Sequence, residues 1–166
     1  MLRSRIIPCL LIHNKGLVKT VKFKEPKYVG DPINAVKIFN EKEVDELIVL
    51  DMDATVNGAE PNYLMIEYLA NESRMPLCYG GGIKTPKQAQ KIIKLGVEKV
   101  ALSSEAIANP NVLVDIANII GRQSVVVVLD IKKTLFGSYE IYTHNGKKKV
   151  KKDLFEFISE LETIGI

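Results

Sequence analysis

Two carboxylates stand where they could move protons. Asp51 ends the apolar run 46–51 and Asp130 ends the run 124–130. An aspartate carried on an apolar strand to its rim is partly desolvated, which raises its pKa toward the range useful for proton transfer. The plainer alternative is that each caps the loop that follows it. Lys132, two residues beyond Asp130, can point the same way and pair with it. Gly80-Gly81-Gly82 follows the run 76–79 and would let backbone N–H groups approach an anion closely, although tight turns use glycines too. Ser103-Ser104 follows the run 99–102 and adds hydroxyl and amide donors. Donor-rich rims on neighbouring strands describe half of a phosphate cradle. Lys19 and Lys22 lie in the long segment before Asp31, read as a mobile rim loop that brings positive charge to an anionic substrate, with a solvated connector as the alternative.

Other chemistries are poorly provided for. His13 and His144 are the only histidines and fall on different loops, so neither a metal site nor a Ser/His/Asp arrangement can be argued, and no cofactor is expected. Cys9 and Cys78 both sit in apolar strand-like segments, where a reduced, buried thiol is expected rather than a disulfide. The net charge of +3 is small and both signs are spread along the chain, apart from the basic stretch 147–152, which reads as one solvated edge of a hairpin. Nucleic-acid binding is therefore not expected. No run approaches the length of a membrane span and the opening residues lack a cleavable signal, so a cytoplasmic location is expected.

The elements that must hold these residues alternate. Apolar runs at 5–11, 46–51, 76–79, 99–102 and 124–130 are separated by amphipathic segments of helix length, the mark of βα units feeding a parallel sheet. Asp31-Pro32 opens a helix that ends near Asn40, and Pro61 with Asn62 opens another that runs to about Asn71. Thr85-Pro86 repeats the device with Gly96 as the stop, and Asn109-Pro110 does so with Gly121. Segments 139–142 and 147–150, joined by Asn145-Gly146, predict a β-hairpin inserted after strand five, and a last helix begins near Asp153. The whole chain, 1–166, reads as the N-terminal part of one α/β domain, a TIM (β/α)8 barrel of which about the first five βα units are present. A five-stranded open sheet of flavodoxin type is the alternative, weakened by the lack of a Gly-rich turn after strand one.

The residues also match a known pattern. Arg5-Ile6-Ile7-Pro8-Cys9-Leu10, Gly30-Asp31-Pro32, Asp45 through Asp51, Tyr79-Gly80-Gly81-Gly82-Ile83 and the stretch 125–132 resemble the cyclase subunit of imidazole glycerol phosphate synthase. That resemblance implies a full (β/α)8 barrel, a glutaminase partner on its N-terminal face, and ammonia passing through the barrel to a bisphosphorylated substrate on the opposite face. It implies a phosphate site at Gly82, Ser103 and Ser104, with serines where the histidine enzymes usually carry Asn-Thr, and an acid/base role for Asp130. Arg5, Glu46 and Lys99 match three of the four charged residues that ring the family's ammonia entrance; from the residues alone they read as solvation of strand starts.

One departure bears on mechanism. The family carries a catalytic aspartate at the end of strand one, and here that position is Leu11, which cannot transfer a proton. The stretches Leu10-Leu11-Ile12, 19–23 and 76–82 resemble the paralogous branch that serves acetamidino modification of surface-polysaccharide sugars. In that branch the barrel subunit supplies ammonia with its glutaminase to a separate amidating enzyme. Two alternatives stand beside this expectation: a true histidine-pathway cyclase in which another group replaces the missing carboxylate, and a non-catalytic activator of a glutaminase.

Overall fold

A computed structural model describes residues 3–21, 24–135 and 137–166. Lys22 lies outside the described residues. The strands are β1 (Cys9–His13), β2 (Gly16–Val21), β3 (Lys24–Gly30), β4 (Leu47–Asp51), β5 (Leu77–Gly80), β6 (Lys99–Leu102) and β7 (Val125–Val127), followed by β8 (Asp130–Lys133), β9 (Tyr139–Thr143) and β10 (Lys148–Lys149). The helices are α1 (Pro32–Glu41), α2 (Met52–Val56), α3 (Tyr63–Glu72), α4 (Pro86–Lys94), α5 (Ser104–Ala108), α6 (Asn111–Ile120) and α7 (Leu154–Thr163). One sheet runs in the order β3-β2-β1-β4-β5-β6-β7, parallel from β1 to β7, and a second contains β10-β9-β8.

Local chemistry sets the helix starts. The Asp31 carboxylate accepts the Asn34 N–H at 3.0 Å ahead of Pro32, and Asn62 accepts the Met65 N–H at 3.1 Å. At α4 a reciprocal box forms: the Thr85 hydroxyl accepts the Gln88 N–H at 3.3 Å, while Gln88 Oε1 accepts the Thr85 N–H at 3.1 Å. Gly96, with φ +99°, follows the end of α4 in a backbone conformation that a side chain would strain.

Strand register divides the sheet into rows. Leu10, Val49, Tyr79, Val100 and Val125 are mutual neighbours and all buried, facing the helices. On the opposite, concave face, Leu11, Leu50, Gly80, Ala101 and Val126 form one row, and Cys9, Ile48, Cys78 and Lys99 form the row below it. α1 packs on α3 and α4 on α6 to cover the helix side.

Several expectations are corrected. The segment after strand one is not a mobile loop: β2 and β3 make an antiparallel ribbon with β1, turned by Asn14 and Lys15 at φ +49° and +64°. Main-chain pairing there satisfies donors that a free loop would leave to water. Strand one is paired from Cys9 rather than from Arg5. Strand five leaves the main sheet early. Val128 N–H still donates to Leu102 O at 2.9 Å, but Asp130 pairs with Tyr142 in the second sheet. Cys9, the first residue of β1, is exposed, contrary to expectation; Cys78, in the same row but within central β5, is buried as expected, and burial pushes its thiol up to about 12.

Candidate functional site

The C-terminal ends of the parallel strands surround a cavity of about 120 Å³. Leu11, Leu50, Gly80 and Ala101 form its floor, and Gly81, Gly82, Ser103, Ser104, Asp51 and Asp130 line it. The small residues in the floor row leave the hollow: a Cβ at Gly80 would meet Leu50 at 2.7 Å and the Ala101 carbonyl at 2.9 Å. Gly81 and Gly82 have φ +127° and +72°, and a Cβ at Gly82 would meet the Ala59 carbonyl at 2.8 Å. The glycines are thus required both by backbone conformation and by close packing. Ser103 precedes α5 and makes no capping bond, so its hydroxyl stays uncommitted. The expected donors on adjacent rims are therefore brought together.

The two aspartates differ. Asp51 Oδ1 accepts the N–H groups of Asp53 and Ala54 at 2.8 and 3.2 Å, so this carboxylate caps α2 while its residue also lines the cavity. Asp130 accepts no such bonds among the described residues; burial raises its pKa above the usual carboxylate range, with Lys132 pulling back in part. Lys132 does not pair with it. Its ammonium donates to Gly146 O at 3.0 Å and sits 3.8 Å from the centre of the Tyr142 ring. Lys19 lies exposed on β2 opposite Lys27 and does not line the cavity.

At the other end of the concave face lies a charged cluster. Glu46, only 4% exposed, is held between Lys99 Nζ at 2.6 Å and Arg5 Nη1 at 3.3 Å. A buried carboxylate is tolerated when its oxygens are paired, and here each oxygen has its own cation. Arg5, Glu46 and Lys99 are thus in contact as a set.

Sequence reasoning missed three features. His13 Nδ1 lies 2.6 Å from Asp53 Oδ1, and the other Asp53 oxygen accepts the Asn14 N–H at 2.6 Å, tying the turn of the β1–β2 ribbon to α2. His144 and Asn145, in the turn between β9 and β10, also line the cavity. Asn145 donates to Met52 O at 3.0 Å and so fastens that turn to the mouth. These contacts join residues 40 and 93 positions apart, which no local pattern announces. Among the described residues, no three His, Cys, Asp or Glu side chains converge as a metal site. Nor is any helix among them long and apolar enough to cross a membrane.

Fold and cavity together define an α/β protein built on a parallel central sheet, with its site at the C-terminal ends of the strands. The chain belongs to the family described as "Histidine biosynthesis protein", which matches residues 5–166. It is 61% identical to the "Putative imidazole glycerol phosphate synthase subunit hisF3" of Vibrio vulnificus, over 99% of this chain and 64% of that protein. It is 52% identical to the "Putative imidazole glycerol phosphate synthase subunit hisF2" of Pseudomonas aeruginosa, over 100% of this chain and 66% of that one. Against the "Imidazole glycerol phosphate synthase subunit HisF" of Exiguobacterium sibiricum the identity is 38%, over 99% and 66%. The chain therefore spans just under two thirds of the length of these relatives.

Proposed function

We propose that this chain is the first five βα units of a (β/α)8 synthase subunit of the imidazole glycerol phosphate synthase line, working in the cytoplasm with a glutaminase that supplies ammonia. The observation that carries this reading is the concave face itself. The same parallel strands bear the Arg5–Glu46–Lys99 cluster at their starts and the donor-lined cavity at their ends. The cluster is suited to gate a small neutral molecule entering between the strands. The cavity is suited to hold a phosphorylated substrate, with Gly81, Gly82, Ser103 and Ser104 donating to the phosphoryl oxygens. Asp130, partly desolvated, acts as the acid/base at the rim, and Asp51 completes the substrate's surroundings in the cavity. The chemistry needs no cofactor.

Within that line, we assign the chain to the branch serving amidination of surface-polysaccharide sugars. Leu11 supports this: it lies in the cavity floor, where a cyclase would need a second carboxylate. The full-length protein should fail to restore growth to a strain lacking the histidine-pathway cyclase; growth without added histidine overturns the assignment. A true cyclase is favoured instead by the names of relatives such as that of Exiguobacterium sibiricum. Leu11→Asp probes the mechanism: cyclase turnover gained in that variant means the rest of the pocket is cyclase-like, and none means that the pocket has diverged further.

A further inference from the structure

His144 lines the mouth cavity and has no part in the function proposed so far. Its position is fixed. Asn145 clamps the turn to Met52 O, and His144 itself adopts φ +55°, with Nδ1 3.1 Å from the Thr143 hydroxyl. Lys148 Nζ approaches Nε2 at 3.5 Å, a contact compatible with an imidazole that keeps its lone pair.

The wall around it has a charge problem. Asp51, Glu105 and Asp130 line the same cavity and, among the described residues, Lys84 is the one cation lining it. Asp51 is neutralised in part by the α2 amides, yet a dianion entering here still meets more negative than positive charge. We infer that His144 is the proton-linked cation of this cavity: a neutral imidazole without ligand, it takes up a proton as a dianionic phosphate monoester seats against Gly82, Ser103 and Ser104. This rests on the reading of the cavity as an anion site. Burial and the charge of Lys148 hold the His144 pKa below its ordinary value in the unliganded protein. A bound dianion opposes both effects.

The sign follows from linkage. A ligand that raises the imidazole pKa binds tightly below the unliganded pKa and loses affinity as pH rises through the liganded one. Sulfate is the probe, because it stays dianionic from about pH 5.5 to about pH 8, where histidine titrates and phosphate changes charge. Side-chain and amide NMR of the full-length protein, titrated with sodium sulfate, should show the His144 pKa rise by about one unit. Sulfate affinity should fall about tenfold across that range, and the dependence should flatten in His144→Asn. If sulfate moves the Gly82 and Ser103 amides while the His144 titration stays put, the inference is overturned and the anion site survives. If sulfate moves none of these amides, the anion site fails with it.

Discussion

Asp130 is the residue whose environment argues most directly for chemistry rather than stability. Its pKa is raised because burial disfavours the charged form. A carboxyl with a folded pKa above its unfolded value binds its proton more tightly in the native state. Its contribution to stability is then favourable at acid pH and is lost as pH rises through the folded pKa. Asp130→Asn should therefore be more stable than the parent at pH 7 in urea denaturation, with the gap narrowing as the pH falls through the carboxyl range; an equal or lower stability at pH 7 contradicts this account. Gly82 behaves oppositely. Gly82→Ala should destabilise by about 2 kcal/mol, since the new Cβ meets both a positive φ and the Ala59 carbonyl. Lys99→Met leaves Glu46 buried against Arg5 alone and should cost roughly 2–3 kcal/mol in the same measurement.

Elements were legible in the sequence where a side chain announces them. Asp31, Asn62 and Thr85 each accept the backbone N–H that their position before a helix calls for, and the glycine-rich and serine-rich rims after β5 and β6 were read in the right places. The β1–β2 ribbon was not legible, because its turn uses Asn14-Lys15 in the left-handed region instead of a glycine pair. Lys15→Gly should accordingly stabilise the protein by about 1 kcal/mol by relieving that conformation, as thermal unfolding will show. The break between β7 and β8 escaped notice for a different reason. The run from Val125 to Leu129 is apolar throughout, and only the pairing of Asp130 with Tyr142 reveals that the chain has moved to another sheet. The His13–Asp53 and Asn145–Met52 links were invisible for the same cause: tertiary pairing, not local propensity, creates them.

At the scale of the molecule, the small residues Gly80 and Ala101 on the concave face bear on the ammonia route proposed above. Along β6 the same-face positions Lys99 and Ala101 climb from the ion cluster toward the mouth, a rise of ~7 Å for two residues of extended chain, with Ser103 just past the strand's end at the mouth. Above Glu46 come the row of Cys9, Ile48 and Cys78 and then the row of Leu11, Leu50, Gly80, Ala101 and Val126, which at Gly80 and Ala101 carries a hydrogen and a methyl. Gly80 and Ala101 are thus the smallest members of that row. If the proposed glutaminase partner and ammonia route hold, Ala101→Leu, which adds bulk against Gly80, should stop nitrogen derived from glutamine from reaching the product of the assembled synthase while free ammonium salts still serve from the open side. Loss of both supplies would place the damage in the pocket instead. On that reading no moving part is needed: bulk at a single rung would decide what crosses.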